Sequence, residues 1–137
     1  MSGERGSITL WMVGLVMVVL AVGGIAVDLW RGLAAHRQLA TAVDAAAIAA
    51  ASGIDENSWR LDGELVLDPG RVEERVAQVM LAQEAAIPMA WEVSTAADGS
   101  EATVVASTTV ELTLLRLLTE GTLDLTAEAT AEPVVSP

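Results

Sequence analysis

The stretch that decides how this chain folds is SITLWMVGLVMVVLAVGGIAV, residues 7–27. It contains no charged side chain, no proline and no side-chain amide. As an α-helix it would extend about 31 Å, the thickness of the hydrocarbon core of a bilayer. Trp11 and Trp30 lie where two interfacial belts of aromatic side chains would be, and Asp28 and Arg31 end the apolar run. The stretch therefore predicts a transmembrane helix, with these four residues as its anchors at the membrane interface.

Two other structures share this apolar pattern, a cleaved signal peptide and a buried core helix. A signal peptide has an apolar region of about 7–15 residues before a cleavage site with small side chains. The run here is longer, and Asp28, Leu29 and Trp30 continue it as a helix. A buried helix of this length would need a larger protein around it. We therefore expect a retained anchor.

The orientation of this helix does not follow from the flanking charges, because arginines lie on both sides of it. Residues 1–6 are too few to form a domain, whereas long downstream domains cross membranes largely regardless of charge. We expect residues 1–6 to be a short cytoplasmic flank. The chain is then a single-pass protein of the cell membrane with an extracytoplasmic C-terminal domain.

Residues 28–52 read as an alanine-rich amphipathic stem that continues the transmembrane helix. Alanine is the best helix former and its small side chain allows another helix to approach closely. We expect the stem to pack on a partner's helix or on the helix predicted at 70–86. The residues expected on the packing face are Leu33, Leu39, Val43, Ala46 and Ala50.

Residues 53–137 predict a small β-α-β-β-β domain with an antiparallel sheet, so the fold class is α+β. A short strand is expected at 64–67, and Asp68-Pro69 predicts the start of an amphipathic helix. Three further strands are expected at 91–94, 102–111 and 122–132, with a hairpin turn at Asp98-Gly99. Residues 54–62 read as a polar turn. The buried stripe expected on the helix consists of Val72, Val76, Val79 and Met80.

A leucine-rich segment, residues 112–118, lies between the last two predicted strands. It is either a helical turn that caps the sheet or an exposed apolar lip that contacts another surface. Small domains need every leucine they have, which favours the cap. The leucines of the alternative lip are Leu114, Leu115, Leu117 and Leu118.

Composition excludes several classes of function. The net charge of −12 argues against nucleic acid, whose phosphates require basic patches. The chain has no cysteine and one histidine, so thiolate sites and multi-histidine metal sites are excluded. Phosphate-binding glycine loops are absent from the sequence. We predict no catalytic, cofactor-binding or metal-binding residues and no small-molecule substrate, so the protein is not expected to be an enzyme.

Three motifs together resemble the TadE/TadG-like family of pilus-assembly proteins. They are Arg5-Gly6-Ser7 before the apolar run, Ala26-Val27-Asp28-Leu29 at its end, and AVDAAAIAA at 42–50. The strand that ends in Ala129-Thr130-Ala131 is also similar to that family. The resemblance implies a minor pilin-like or accessory subunit of a tight-adherence (Flp-type) pilus or related secretion assembly.

One departure bears on the branch of that family. Processed members have a leader that ends in glycine and a glutamate five residues into the mature chain. Counted from Gly3 that place is Ile8, and counted from Gly6 it is Trp11. The resemblance is therefore closer to the uncleaved TadG-like branch.

The partners expected on this basis are the lipid bilayer and other pilin-like or membrane-protein subunits, contacted through helix packing. The alternative function is a single-pass accessory or regulatory subunit of another membrane enzyme or transporter. Co-purifying partners would discriminate between the two.

Overall fold

The computed structural model describes residues 4–84, 86–114, 116 and 121–134. These residues form three helices and one three-stranded sheet. The α+β class and the long N-terminal helix predicted from the sequence are confirmed. The helices are α1 (Glu4–Ala51), α2 (Glu56–Asp62) and α3 (Pro69–Glu84), and the strands are β1 (Ala90–Thr95), β2 (Ala102–Glu111) and β3 (Thr122–Ala131).

Helix α1 runs without a break from before the apolar segment through the alanine-rich stem, over 48 residues. No proline interrupts it, and alanine dominates its second half. It ends where the Gly53 N–H donates to the Ala50 carbonyl oxygen at 2.9 Å. A Cβ atom at position 53 would lie 2.9 Å from the backbone nitrogen of Val72, so glycine allows the close approach of α3.

The prediction of a polar turn at residues 54–62 is wrong, because helix α2 occupies most of this segment. Asp55 caps the helix: its carboxylate accepts hydrogen bonds from the Asn57 N–H at 2.9 Å and the Ser58 hydroxyl at 3.0 Å. At the other end Gly63 adopts φ 69°, and its N–H donates to the Trp59 carbonyl oxygen. Both caps are common helix signals, and they define a helix of only seven residues.

The strand expected at 64–67 is also wrong. Only one bridge forms there, between Ile54 and Leu67. The Leu67 N–H donates to the carbonyl oxygen of Gly99, which lies in a turn. A turn offers single hydrogen bonds and no ladder, so the segment does not become a strand.

Helix α3 begins and packs as the sequence predicts. The Asp68 carboxylate accepts a hydrogen bond from the Arg71 N–H at 2.8 Å, as an N-cap does. Of the expected stripe, Val72, Val76 and Met80 are buried on one face of the helix, and Val79 is half-buried against the same core.

The sheet is antiparallel with strand order β1-β2-β3. The turn between β1 and β2 contains Gly99 at φ 67°, the left-handed conformation that glycine favours. Val93 pairs with Val104 in the hairpin. Alternate residues of β2 are buried, and the alternation predicted for β3 is confirmed by half-buried Leu125, Ala127 and Ala129.

The contacts divide the chain into two units. The larger unit, within 34–109 and 124–137, has one hydrophobic core to which the stem, α3 and all three strands contribute. Its buried members are Leu39, Ala42, Val43, Ala46, Ala50, Leu67, Val72, Val76, Met80, Met89, Ala102, Val104 and Ala106.

The smaller unit comprises the described residues of 1–33 and 110–123. In it the Leu112 N–H donates to the Gly121 carbonyl oxygen at 2.8 Å. This bond closes the base of the loop that follows β2, and Leu112 itself is buried.

Candidate functional site: the apolar helix and the carboxylate at its end

The N-terminal part of α1 is the one helix of the described residues that is long and apolar enough to cross a membrane. Its large side chains from Ile8 to Val22 are exposed, and Ile25, nearer the end of the apolar segment, is half-buried. An apolar helix exposed on all sides is typical of a segment whose solvent is lipid. This surface is the first part of the candidate site.

The two tryptophans expected at the membrane interface are both exposed, Trp11 by 75% and Trp30 by 69%. Their rings are therefore free to contact lipid headgroups, as interfacial tryptophans do.

Asp28 lies at the end of the apolar run, where the sequence predicts an anchor at the membrane interface. It is buried, with 1% of its surface exposed. Its Oδ1 accepts a hydrogen bond from the Thr113 N–H at 3.1 Å, and its Oδ2 accepts one from the Leu114 N–H at 2.6 Å. The carboxylate thus joins helix α1 to the loop after β2, and we name this pair of bonds the Asp28 bridge.

Arg31 completes the polar contacts around the Asp28 bridge. Its guanidinium donates to the Thr113 hydroxyl at 2.9 Å and lies 4.0 Å from the Asp28 carboxylate. Asp28 and Arg31 therefore lie at the outer limit of an ion pair. Half of the arginine side chain remains exposed, so the pair itself adds little stability.

Leu114 packs on α1 next to the bridge. Its side chain fills the space over Gly24, where a Cβ atom would overlap the leucine Cδ1 and lie 2.9 Å from its Cγ. Gly24 belongs to the predicted membrane span. The loop after β2 therefore reaches the apolar segment itself.

The other expected lip residues, Leu115, Leu117 and Leu118, lie outside the described part of the chain. Leu114 is half-buried.

The residues expected to pack the stem have different environments. Leu39, Val43, Ala46 and Ala50 are buried in the core of the larger unit. Leu33, expected on the same face, is 46% exposed. Burial along this face is continuous only from Leu39 onward, because α3 and the sheet supply the covering side chains there.

A second polar cluster links α2 to α3. The Arg71 guanidinium donates to the Glu56 carboxylate at 2.9 Å and to the Ile54 carbonyl oxygen at 3.3 Å. The hydrogen bond from Arg71 and its positive charge lower the pKa of Glu56, and the Asn57 N–H lowers the pKa of Asp55. These groups are exposed and serve the local fold.

Within the described ranges, no three acidic or histidine side chains come together as metal ligands would. An open groove lies between the stem and β3, and its lining combines alanines with the carboxylates of Asp44, Glu101 and Glu132.

Sequence reasoning missed the Asp28 bridge because its partners are 85 and 86 positions away. The donors to the Asp28 carboxylate are backbone N–H groups. Nearly every residue type has such a group, so the sequence does not reveal which residues donate. An acid directly after an apolar run, followed by an arginine, was the only local sign.

One long apolar N-terminal helix together with a small α+β domain fits the class of single-pass membrane proteins. Residues 6–53 match a family model named Tad, described as "Putative Flp pilus-assembly TadE/G-like". The match confirms the resemblance over the apolar helix and the stem, about a third of the chain. No curated protein and no solved structure matched the chain.

Proposed function

We propose that this protein is a membrane-anchored minor pilin-like or accessory subunit of a tight-adherence (Flp-type) pilus or related secretion assembly. The observation that carries the proposal is the family match over residues 6–53, which coincides with the exposed apolar helix. The exposed side chains of this helix from Ile8 to Val22 are available to lipid and to other helices. The protein then acts through helix packing and protein contacts, with no catalytic step.

In this proposal residues 7–27 cross the membrane and residues 1–6 form a cytoplasmic flank. The stem, residues 28–52, leads into the extracytoplasmic domain at 53–137. Two facts support continuity between stem and domain: α1 is unbroken and the stem residues Leu39 to Ala50 belong to the domain core. The acidic surface of the chain suits contacts with other proteins better than contacts with anionic lipid headgroups.

Site-specific crosslinking tests the partner class. A photoreactive amino acid at Val18, exposed in the apolar segment, is introduced into the full chain in the native host. We expect crosslinks to pilus-machinery subunits, identified by mass spectrometry. The matched control carries the same group at Leu61, exposed on α2. Crosslinks at Val18 to a transporter or a membrane enzyme would instead support the alternative function and overturn the pilus assignment.

The proposed topology makes a separate prediction. Because the chain has no cysteine, Ser100→Cys supplies a single thiol on the exposed hairpin turn. We expect an impermeant maleimide to label this thiol in intact cells. Labelling that appears only after lysis would show that the orientation is reversed.

The TadG-like, uncleaved branch is the remaining part of the proposal. It predicts that the mature chain keeps its N-terminus apart from Met1, with no cut after Gly3 or Gly6. Intact-mass measurement of the purified protein decides this. A species that begins at Glu4 or Ser7 would place the protein among the processed members.

A further inference from the structure

We propose that the loop after β2 is a second membrane contact, in which Leu114 enters the hydrocarbon at the depth of Gly24 and the Asp28 bridge holds it there. The partner is the lipid bilayer. This inference rests on the membrane anchoring proposed above, and it adds a lipid-binding element that is separate from the transmembrane helix.

The depth of Leu114 follows from its contact with α1. Gly24 lies three residues inside the end of the apolar run, and Leu114 covers it. The backbone of Leu114 is bonded to Asp28, four residues further along the helix. At 1.5 Å per residue, the leucine side chain therefore extends about 6 Å from the level of Asp28 toward the membrane centre.

The Asp28 bridge supplies hydrogen-bond acceptors to backbone N–H groups of the loop that would otherwise be unpaired near the hydrocarbon. A backbone N–H group within the hydrocarbon finds no water, so leaving it unpaired there is strongly unfavourable. The two oxygens of Asp28 accept from the two consecutive N–H groups of Thr113 and Leu114. The same bonds satisfy a carboxylate that has 1% of its surface exposed. The hydrogen bonds thus offset the desolvation cost of the Asp28 carboxylate and of the two backbone N–H groups in a region of low dielectric constant.

Lipid is the occupant that the surroundings favour. Leu114 extends a surface that is already apolar and exposed, the apolar segment of α1. Leu29 and Trp30, five and six residues beyond Gly24, are also exposed, as side chains at an interface are. A bilayer that covers α1 up to Asp28 covers the outward side of Leu114 as well.

Fluorescence in lipid nanodiscs tests the proposal on the full chain. An environment-sensitive dye is attached to single cysteines: Leu114→Cys, with Val27→Cys as the depth standard and Ser100→Cys as the standard in water. We expect the dye at position 114 to emit at a shorter wavelength than the dye at position 100. Lipids with a quencher near the headgroup should quench it as strongly as the dye at position 27.

Three results can be distinguished. A dye at position 114 that behaves like the one at position 100, while position 27 is quenched, overturns the loop contact and leaves the anchor intact. Absence of quenching at position 27 overturns the anchor and with it the loop contact. Quenching at both positions supports both.

A second variant protects the test against a local packing defect at position 114. The dye is moved to the exposed neighbour by Thr113→Cys, which leaves Leu114 in place. We expect quenching at this site too, and its loss when Asp28→Asn is added, because an amide nitrogen cannot accept the second N–H. Unchanged quenching in the Asp28→Asn variant would show that the bridge does not hold the loop.

Discussion

At the scale of single residues, this protein depends on small side chains wherever its parts approach closely. Ala42, Ala46 and Ala50 are buried on the stem, and Ala102 and Ala106 are buried on β2. Such a core contains little volume per residue, and close packing leaves no room for a larger side chain.

Ala46→Leu should therefore destabilise the larger unit by about 1–3 kcal/mol, because it overpacks a fully buried site. Leucine is nearly as good a helix former as alanine, so helix propensity does not account for the loss. Urea unfolding of the detergent-solubilised chain, followed by tryptophan fluorescence, measures the change. Asp44→Leu puts the same leucine on the exposed side and should leave the midpoint nearly unchanged. Equal midpoints for both variants would contradict the packing account.

Two glycines with the same backbone conformation give a matched pair. Gly99 and Gly63 adopt φ 67° and φ 69°, where a side chain costs roughly 1–2 kcal/mol. A Cβ atom at Gly99 would also lie 3.0 Å from the Leu67 carbonyl oxygen and from the Val66 Cβ, whereas at Gly63 it meets nothing within 4 Å. Gly99→Ala should lower the free energy of unfolding more than Gly63→Ala, measured by the same urea titration. Identical losses would mean that backbone conformation alone decides both sites.

At the scale of elements, the attachment of α2 depends on ionised carboxylates. Glu56 bonds to Arg71 on α3, and Asp55 caps α2 itself. The pKa of each acid is lowered by these contacts, so the folded state binds protons less readily than the unfolded state. The contribution to stability is present above the ordinary glutamate pKa of 4.5 and is lost as pH falls through the lowered value.

We therefore expect α2 to loosen below about pH 4.5 while the core persists. The fluorescence of Trp59, which lies on α2, reports the change if the other tryptophans are replaced by leucine. Glu56→Gln should weaken this dependence, since it removes one of the titrating groups. A flat pH profile in the unaltered chain would contradict the role of these carboxylates.

The periodicity of apolar residues predicted the elements that have one buried face. It did not predict the short helix α2, or contacts between residues that are far apart in the sequence. The stripe of α3 and the alternation of β3 come directly from burial on one side. Helix α2 buries no residue and so gave no apolar stripe. The burial of Asp28 depends on backbone groups of residues 113 and 114, which no local pattern encodes.

At the scale of the whole molecule, the stem is the element on which the larger unit depends. Leu39, Val43 and Ala46 occupy the same core as α3 and the sheet. One face of the stem is therefore part of the core of that unit.

A fragment of residues 34–137 should accordingly unfold cooperatively in urea, whereas a fragment of residues 54–137 should not. The shorter fragment lacks the stem side chains that cover Val72, Val76 and Met80. Adding a peptide of residues 34–53 should restore a transition, because the missing helix is supplied in trans. A cooperative transition in the shorter fragment alone would show that the core is complete without the stem.

The place of the stem in the core also governs how the protein is made. The ribosome synthesises the stem before α3 and the strands that cover it. Until those elements follow, the apolar face of the stem has no native partner in the nascent chain. Alanine exposes less apolar surface than leucine would. The unpaired stem of the nascent chain therefore has a lower tendency to aggregate than a leucine-rich helix would have. Because β3 also packs against the core, the larger unit completes its folding only after synthesis has passed residue 129.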